Sequence, residues 1–260
     1  MRTPQVAIII INYRGREDTL ECLASLEALT YPAFRVYVVD QPFGKGETER
    51  DGTAEAIGSR FPAVQVIENP VNSGFTGGNN LGMRQALAEG ADYIFLLNND
   101  TTVEPGLLEP LVSLAESEKQ IGIVGPLMLY YDAPEIVWAT GGKMGPRGEA
   151  TLLGQGKRVD EIPTTPVECD YIVGCGLLAK RVVLETVGLF DERYFLYYEE
   201  SDLCARARRA GWQVQNQPVA RLWHKVSRTT GTESELTLYY MRRNCLLYLR
   251  ENALHPAESV

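Results

Sequence analysis

Histidine and cysteine are scarce, with two and five residues respectively among 260. Cys22, Cys169, Cys175, Cys204 and Cys245 are odd in number and show no Cys-x-x-Cys spacing. That excludes a zinc ribbon or a disulfide frame and is the usage expected of reduced thiols in a cytosolic setting. No Gly-x-Ser-x-Gly elbow and no His-Glu-x-x-His pair occurs, so serine-hydrolase and zinc-protease chemistry lack their residues. No run reaches the roughly 18 apolar residues of a membrane span. The apolar run at residues 6–11 is too short and lacks a small-residue cleavage site, so it reads as a buried strand and not a signal peptide. Positive charge is also in deficit: 25 Lys and Arg against 34 Asp and Glu leave a formal charge of −9. Such a field repels nucleic acid, so no nucleic-acid partner is expected, and an anionic small ligand needs a local metal or arginine cluster. Internal repeats and low-complexity segments are absent.

What is present alternates. Buried-strand character at residues 6–12, 35–40, 64–68 and 93–97 is interleaved with helical spacing at 19–29, 53–61 and from a Gly/Asn-rich loop through about residue 89. Repeated β-α order implies an α/β chain with a largely parallel sheet covered by helices. Beyond Pro105 a helix is expected at 107–118, strands at 121–131 and 171–178, a helix at 202–210 and an extended run at 213–223 ending at His224. Residues 138–166 are rich in Gly and charge, which favours hairpins or a mobile loop over core. The last helix, residues 234–252, is read with Leu236, Tyr239, Tyr240, Leu246 and Leu247 facing inward and Arg242, Arg243 and Arg250 elsewhere.

Chemistry gathers at four places. YIFLLNNDTTVEP ends an apolar strand in Asn98, Asn99 and Asp100. One carboxylate flanked by amides suits a hard divalent cation that keeps positions open for phosphate oxygens, although the same run also suits a polar turn. Asp40 ends the second strand, so parallel strands place Asp40 and Asp100 on one acidic sheet edge, where open α/β sheets bind ligands. NSGFTGGNNLG, residues 72–82, lets backbone approach a ligand closely at a helix start but is neither a Walker loop nor Gly-x-Gly-x-x-Gly. Glu199, Glu200 and Asp202 crowd another helix start among Phe195, Tyr197 and Tyr198. Helix-dipole stabilisation explains one such acid, and a partly apolar pocket would raise another toward a useful general base. His224 is followed by Lys225, Arg228 and hydroxyls that suit phosphate.

The ordered set VAIIIINYRGREDTLECLASL, VYVVD, NSGFTGGNNLG, YIFLLNNDTTVEPGLL, GLFDERYFLYYEESDLCARARRAGW, ARLWHKVS and YYMRRNCLL, from about residue 5 to 250, resembles the family 2 inverting glycosyltransferases, close to their bacterial rhamnosyltransferase-like group. The resemblance implies a GT-A (Rossmann-like) fold with a central, mainly parallel mixed sheet flanked by helices. It further implies one domain over residues 1–260, with about 1–105 a nucleotide-sugar-binding half and about 106–260 an acceptor-binding half. By position it places Asn12 and Asp40 by the nucleotide, with Gly77, Gly78 and Asn79 lining the donor site. Asn98-Asn99-Asp100 stands at the family's DxD motif, with Asp100 holding Mg²⁺ or Mn²⁺, His224 helping to hold metal or diphosphate, and Arg243 contacting the diphosphate. The family's Glu-Asp pair falls on Glu199-Glu200, making Glu200 the base, with Asp202 as a second carboxylate that can share the task.

Two departures stand out: DQPFGKGETERDG after the second strand is longer and differently charged than the family's run, and the base position holds Glu in place of Asp. The implied reaction moves a sugar from a dTDP- or UDP-sugar, dTDP-L-rhamnose first, to a cell-surface glycan or lipid-linked acceptor in one inverting displacement. The implied setting is cytoplasmic, at the inner membrane face if the Arg-bearing last helix touches lipid. Two other readings remain open. One is a non-catalytic nucleotide-sugar-binding subunit. The other is a nucleotidyltransferase, for which NYRGRED after the first strand is a poor loop.

Overall fold

In the computed structural model, which describes residues 2–43, 49–226 and 234–253, VAIIIIN forms strand β1 (Val6–Asn12) with all seven residues buried. β-Branched residues on both faces are what a central parallel strand between helical layers requires. Each fully buried Ile of this strand contributes about 1.5–3 kcal/mol of apolar burial. The chain continues through α1 (Arg16–Leu26), β2 (Phe34–Asp40), α2 (Thr53–Arg60), β3 (Gln65–Glu68), α3 (Gly74–Ala88) and β4 (Tyr93–Asn98). β1 pairs in parallel with β2 and with β4, in registers that set Asn12 beside Asp40 and Ile11 beside Asn98. The C-terminal ends of the three strands therefore lie together, and every polar residue that ends one of these strands arrives at the same edge.

The second part interrupts the parallel order. β5 (Thr101–Val103), α4 (Leu108–Ser117), β6 (Ile121–Tyr130), β7 (Ala133–Ala139), β8 (Gly142–Met144), β9 (Ala150–Leu152), β10 (Val167–Glu168) and β11 (Gly176–Lys180) are followed by α5 (Arg181–Val187), α6 (Glu199–Arg209), β12 (Gln213–His224) and α7 (Glu235–Tyr248). Ten strands form one sheet in the order β10-β12-β6-β11-β4-β1-β2-β3, with β5 on β12 and β7 on β6. β11 runs antiparallel between β4 and β6, and β12 runs parallel to β6 and antiparallel to β5. The result is a mixed, mostly parallel α/β sheet. The Gly- and charge-rich stretch supplies the separate β8-β9 hairpin, as its composition predicts.

Four expectations are corrected. Strand β11 starts at Gly176, and Tyr171 makes only an isolated bridge to Gly142. Helix α1 runs from Arg16 to Leu26 and not over 19–29. Helix α6 opens at Glu199, three residues before its predicted start, so the carboxylates lie inside its first turn. Helix α7 buries Thr237, Asn244 and Tyr248, whereas Leu236, Tyr239 and Leu246 are exposed. Its buried side combines the hydrogen-bonded Asn244 with Tyr248, which packs against Tyr194 and Tyr198. All five cysteines are free, and burial pushes the Cys22 and Cys204 thiols up to about 12, which keeps them protonated. Among the described residues no helix is long and apolar enough to cross a membrane.

Candidate active site

The nucleotide end is built on the tip of β1. Asn12 is buried, and its Nδ2 donates to Asp40 Oδ1 at 2.6 Å and to Asp51 Oδ1 at 3.2 Å. Its Oδ1 accepts from the Gly15 amide at 3.3 Å and from Thr19 Oγ1 at 3.0 Å. One amide thus joins two carboxylates to the start of α1. Asp40 is wholly buried, its Oδ2 makes no hydrogen bond among the described residues, and burial raises its pKa despite the bond from Asn12. An acceptor atom left in that condition is ready for a donor from a ligand. Arg50 closes the back of this corner, with Nη1 on the Asp40 carbonyl at 3.0 Å and Nη2 on the Asn69 carbonyl at 2.7 Å. Asp51 caps α2 through Thr53, and neither Arg50 nor Asp51 was singled out from sequence. The only signal for them was the acidic Asp-Gly-Thr that follows the irregular loop.

The metal end is built by β4, β5 and β12. Antiparallel pairing sets His224 opposite Thr101, and the Lys225 amide donates to the Asp100 carbonyl at 3.0 Å. This brings His224 Nε2 to 3.1 Å from Asp100 Oδ1, with both side chains buried and Trp138 edge-on to the imidazole at 4.5 Å. Neither imidazole nitrogen makes a hydrogen bond among the described residues. A buried carboxylate oxygen against an unsatisfied imidazole nitrogen fits a shared divalent cation. Two protein donors leave the remaining positions to phosphate and water, as such cations prefer. Among the described residues no group of three His, Cys, Asp or Glu side chains gathers, so an all-protein cage is not built. Asn99 turns away from this pair, its Nδ2 donating to Thr19 Oγ1 at 3.0 Å and to the Gly15 carbonyl at 3.4 Å. It ties β4 to the loop after β1.

The third group is the carboxylate pair. Glu199 is buried and Glu200 partly buried at the first turn of α6. Burial raises both pKa values, that of Glu199 well above the usual carboxylate range because the Glu200 charge adds to its burial. Glu199 Oε2 makes no hydrogen bond among the described residues, and the first amides of the helix favour the Glu200 anion. Within the pair, Glu199 is therefore the proton holder and Glu200 the carboxylate free to ionise. The segment at residues 174–175 runs past both acidic groups: the Asn98 amide donates to the Cys175 carbonyl at 3.4 Å, and a Cβ on Gly174 would lie 3.9 Å from Glu200 Cβ.

Other predicted site residues are placed differently. Gly77, Gly78 and Asn79 lie inside α3 and not in a loop, since the helix starts at Gly74. A side chain on Gly78 would press on Gln41 and Ile11, and Asn79 Nδ2 bonds the Phe75 carbonyl at 2.9 Å. Gly78 serves close packing of α3 on the strand tips, whereas Gly77 makes room for Ser73. At its start the Gly74 and Thr76 amides are already taken by Asn72 Oδ1 and the Phe195 carbonyl. Asp202 binds Arg206 Nε at 2.7 Å and Asn252 Nδ2 at 3.1 Å, so its oxygens are spent on structure. Lys225 is paired with Asp18 at 2.5 Å and Glu21 at 2.6 Å, and Arg228 lies outside the described residues. Arg243 donates to the Arg193 and Tyr194 carbonyls and to Asn244 Oδ1, and lies over the Tyr240 ring.

The geometry can be set beside known proteins. A relative from Mycobacterium tuberculosis named N-acetylglucosaminyl-diphospho-decaprenol L-rhamnosyltransferase is 27% identical over 96% of this chain and 85% of its own length. The dTDP-rhamnosyl transferase RfbF of Shigella flexneri is 24% identical over 70% of this chain and 61% of its own. Among solved structures, GalNAc-T7 with UDP, GalNAc and Mn²⁺ superposes with a TM-score of 0.74 at 17% identity, covering 96% of this chain. The mannosyltransferase of Pyrobaculum calidifontis with GDP-Man and Mn²⁺ superposes with a TM-score of 0.69 at 16% identity, covering all of this chain. The chain spans about half the length of the first (49%) and about two thirds of the second (66%). These likenesses establish the GT-A fold. Residues 4–245 match the family described as glycosyltransferase like family 2, and the chain belongs to that family of glycosyltransferases.

Proposed function

We propose that the protein transfers a sugar from a nucleoside-diphosphate sugar to a hydroxyl of a lipid-linked or cell-surface glycan acceptor, with inversion, the first candidate donor being dTDP-L-rhamnose. The observation that carries the reading is the buried Asp100–His224 pair, 3.1 Å apart with both imidazole nitrogens unsatisfied among the described residues, at the C-terminal edge of the parallel strands. Asp100 and His224 would hold Mg²⁺ or Mn²⁺, which when bound neutralises charge on the departing nucleoside diphosphate. Asp40 Oδ2, left unsatisfied while Asn12 holds Oδ1, would accept from the nucleoside. Glu200 takes the proton of the acceptor hydroxyl as that oxygen attacks the anomeric carbon opposite the leaving group, and Glu199 keeps its proton and orients Glu200. A single displacement inverts the anomeric centre. On this reading residues to about 105 hold mainly the donor and the remainder mainly the acceptor.

The donor and acceptor choices follow the names of the rhamnosyl-transferring relatives. Incubating the protein with dTDP-, UDP- and GDP-sugars, Mn²⁺ or Mg²⁺ and a polyprenyl-diphosphate sugar tests them. Release of nucleoside diphosphate with a dTDP- or UDP-sugar is expected. Pyrophosphate release would mean nucleotidyl transfer, and no release from any pair would turn the reading to a nucleotide-binding subunit without turnover.

A lipid-linked acceptor calls for a surface that meets lipid, and the outer stripe of α7 supplies Tyr239, Arg242 and Leu246 at helical spacing, all exposed. In a chain of charge −9, a cationic and apolar stripe complements an anionic bilayer at the cytoplasmic face. Co-flotation with anionic vesicles, lost in Leu246→Asp, is expected. A parent protein that stays at the bottom of the gradient would remove the membrane contact from the proposal.

A further inference from the structure

The chain just before the carboxylate pair is held in a costly shape. Phe195, Tyr197 and Tyr198 all have positive φ, at 64°, 68° and 73°. For bulky L-residues the left-handed region costs roughly 1–2 kcal/mol each, so such a run persists only where its surroundings enforce it. Tyr198 precedes Glu199 directly, and any relaxation of the run rotates the start of α6.

What enforces it comes mainly from α7. The Asn244 side chain is completely buried, and its Nδ2 lies 2.9 Å from the Tyr194 carbonyl, 2.7 Å from that of Leu196 and 2.7 Å from that of Tyr197. Two N–H groups shared among three carbonyls pin the turn at three points. Arg243 Nε donates to Asn244 Oδ1 at 2.8 Å, which fixes the amide so that its NH₂ side faces the carbonyls. Arg243 Nη2 adds bonds to the Arg193 and Tyr194 carbonyls. Tyr240 stacks on Phe195 at 5.2 Å and 18°. From the opposite side the Thr76 amide donates to the Phe195 carbonyl at 3.1 Å, and Asn80 brackets Phe190 through both its N–H and its carbonyl.

We infer that Asn244, oriented by Arg243, is a positioning residue that holds the left-handed turn at residues 194–198 and thereby aims the Glu199–Glu200 pair at the acceptor hydroxyl. The inference rests on Glu200 being the base. It assigns Arg243 and Asn244 to the geometry of the base, and Arg243 not to the diphosphate.

The test separates rate from donor binding. In Asn244→Ala, kcat is expected to fall at least about tenfold, the scale on which small misplacements of a catalytic group act. The thermal stabilisation given by nucleoside diphosphate with Mn²⁺ should stay unchanged. Asn244→Gln, which keeps the NH₂ donor on a longer arm, should recover part of the rate. Arg243→Lys cannot offer Nε to Asn244 and serves if Asn244→Ala does not fold; the same split is expected at smaller size. A kcat within twofold of the parent in the folded variants would overturn the inference. So would a rate loss matched by loss of the nucleotide-induced stabilisation, which would make Asn244 a general support. Glu200→Gln is run alongside. If that variant transfers sugar at the parent rate, the reading of the base has failed. If it is inactive while the Asn244 variants are at parent rate, only the positioning role has failed.

Discussion

Glu200→Gln is expected to lower kcat by about 10²–10⁴-fold, the usual contribution of a general base, while donor binding persists. The amide is nearly isosteric but cannot take the acceptor proton. Full activity would assign the base to another carboxylate. The neighbouring substitution should behave oppositely. Glu199→Gln keeps a neutral side chain of nearly the same shape beside Glu200, so transfer should survive within about tenfold of the parent, against the far larger general-base factor. Its effect should appear instead in stability. Glu199 has a folded-state pKa well above the usual range, caused first by burial and then by the Glu200 charge. The unfolded chain releases this proton near the ordinary Glu value of about 4.3, whereas the folded protein keeps it to higher pH. Stability from this site is therefore complete below the ordinary value and is lost as pH rises toward the raised one. Gln does not titrate, so Tm of Glu199→Gln minus Tm of the parent should widen as pH rises from about 4.3. A gap that stays flat with pH would assign the raised value to neither state.

Asp100→Asn is expected to remove metal-dependent nucleotide binding. A nucleoside diphosphate at 100 times its dissociation constant stabilises the folded state by about 2.7 kcal/mol. For a chain of this size that corresponds to a rise in Tm of several degrees, at about 2–4 °C per kcal/mol. In the variant the rise in the presence of Mn²⁺ should shrink to the level seen with chelator. The physical reason is charge: His224 is the only other protein donor beside Asp100 among the described residues, and one imidazole with a neutral amide gives a divalent ion no compensating anion. Unchanged metal dependence in this variant would move the metal to other ligands.

The strands were legible because their residues leave little choice. A run such as AIIIIN, apolar on both faces and stopped by Asn, suits a central parallel strand, and the same logic holds for YVVD and FLLN. From these the shared edge carrying Asp40 and Asp100 follows directly, whereas Asn12 joins it by resemblance. The joining of Asp100 to His224 could be guessed only by resemblance, because it depends on β12 returning antiparallel to β5 after more than a hundred residues. Helix α7 was misread for a definite reason. Leu236, Tyr239 and Leu246 have the spacing of a buried face, but the helix is seated by Asn244, whose burial is balanced by three carbonyls. Hydrophobic periodicity has no means of registering a contact made of hydrogen bonds. Arg243 is placed at the diphosphate only by resemblance; in the structure its guanidinium donates to main-chain oxygens. The loop after Asp40 was seen as a departure, yet Asp51 at its end returns a carboxylate to Asn12.

The position of β12 between β6 and β10 also bears on how the protein comes off the ribosome. Synthesis runs from the N-terminus, and β1 to β4 can pair as soon as they emerge. By the time α6 has been made, Asp40, Asp100 and both glutamates exist, but one edge of β6 is bare and hydrophobic, the kind of edge that invites pairing with another chain. β12 closes that edge and in the same event delivers His224 to Asp100. Helix α7 arrives later still and braces the turn before Glu199. The Asp100–His224 pair is thus completed by β12, and the turn before Glu199 is braced only once α7 has docked.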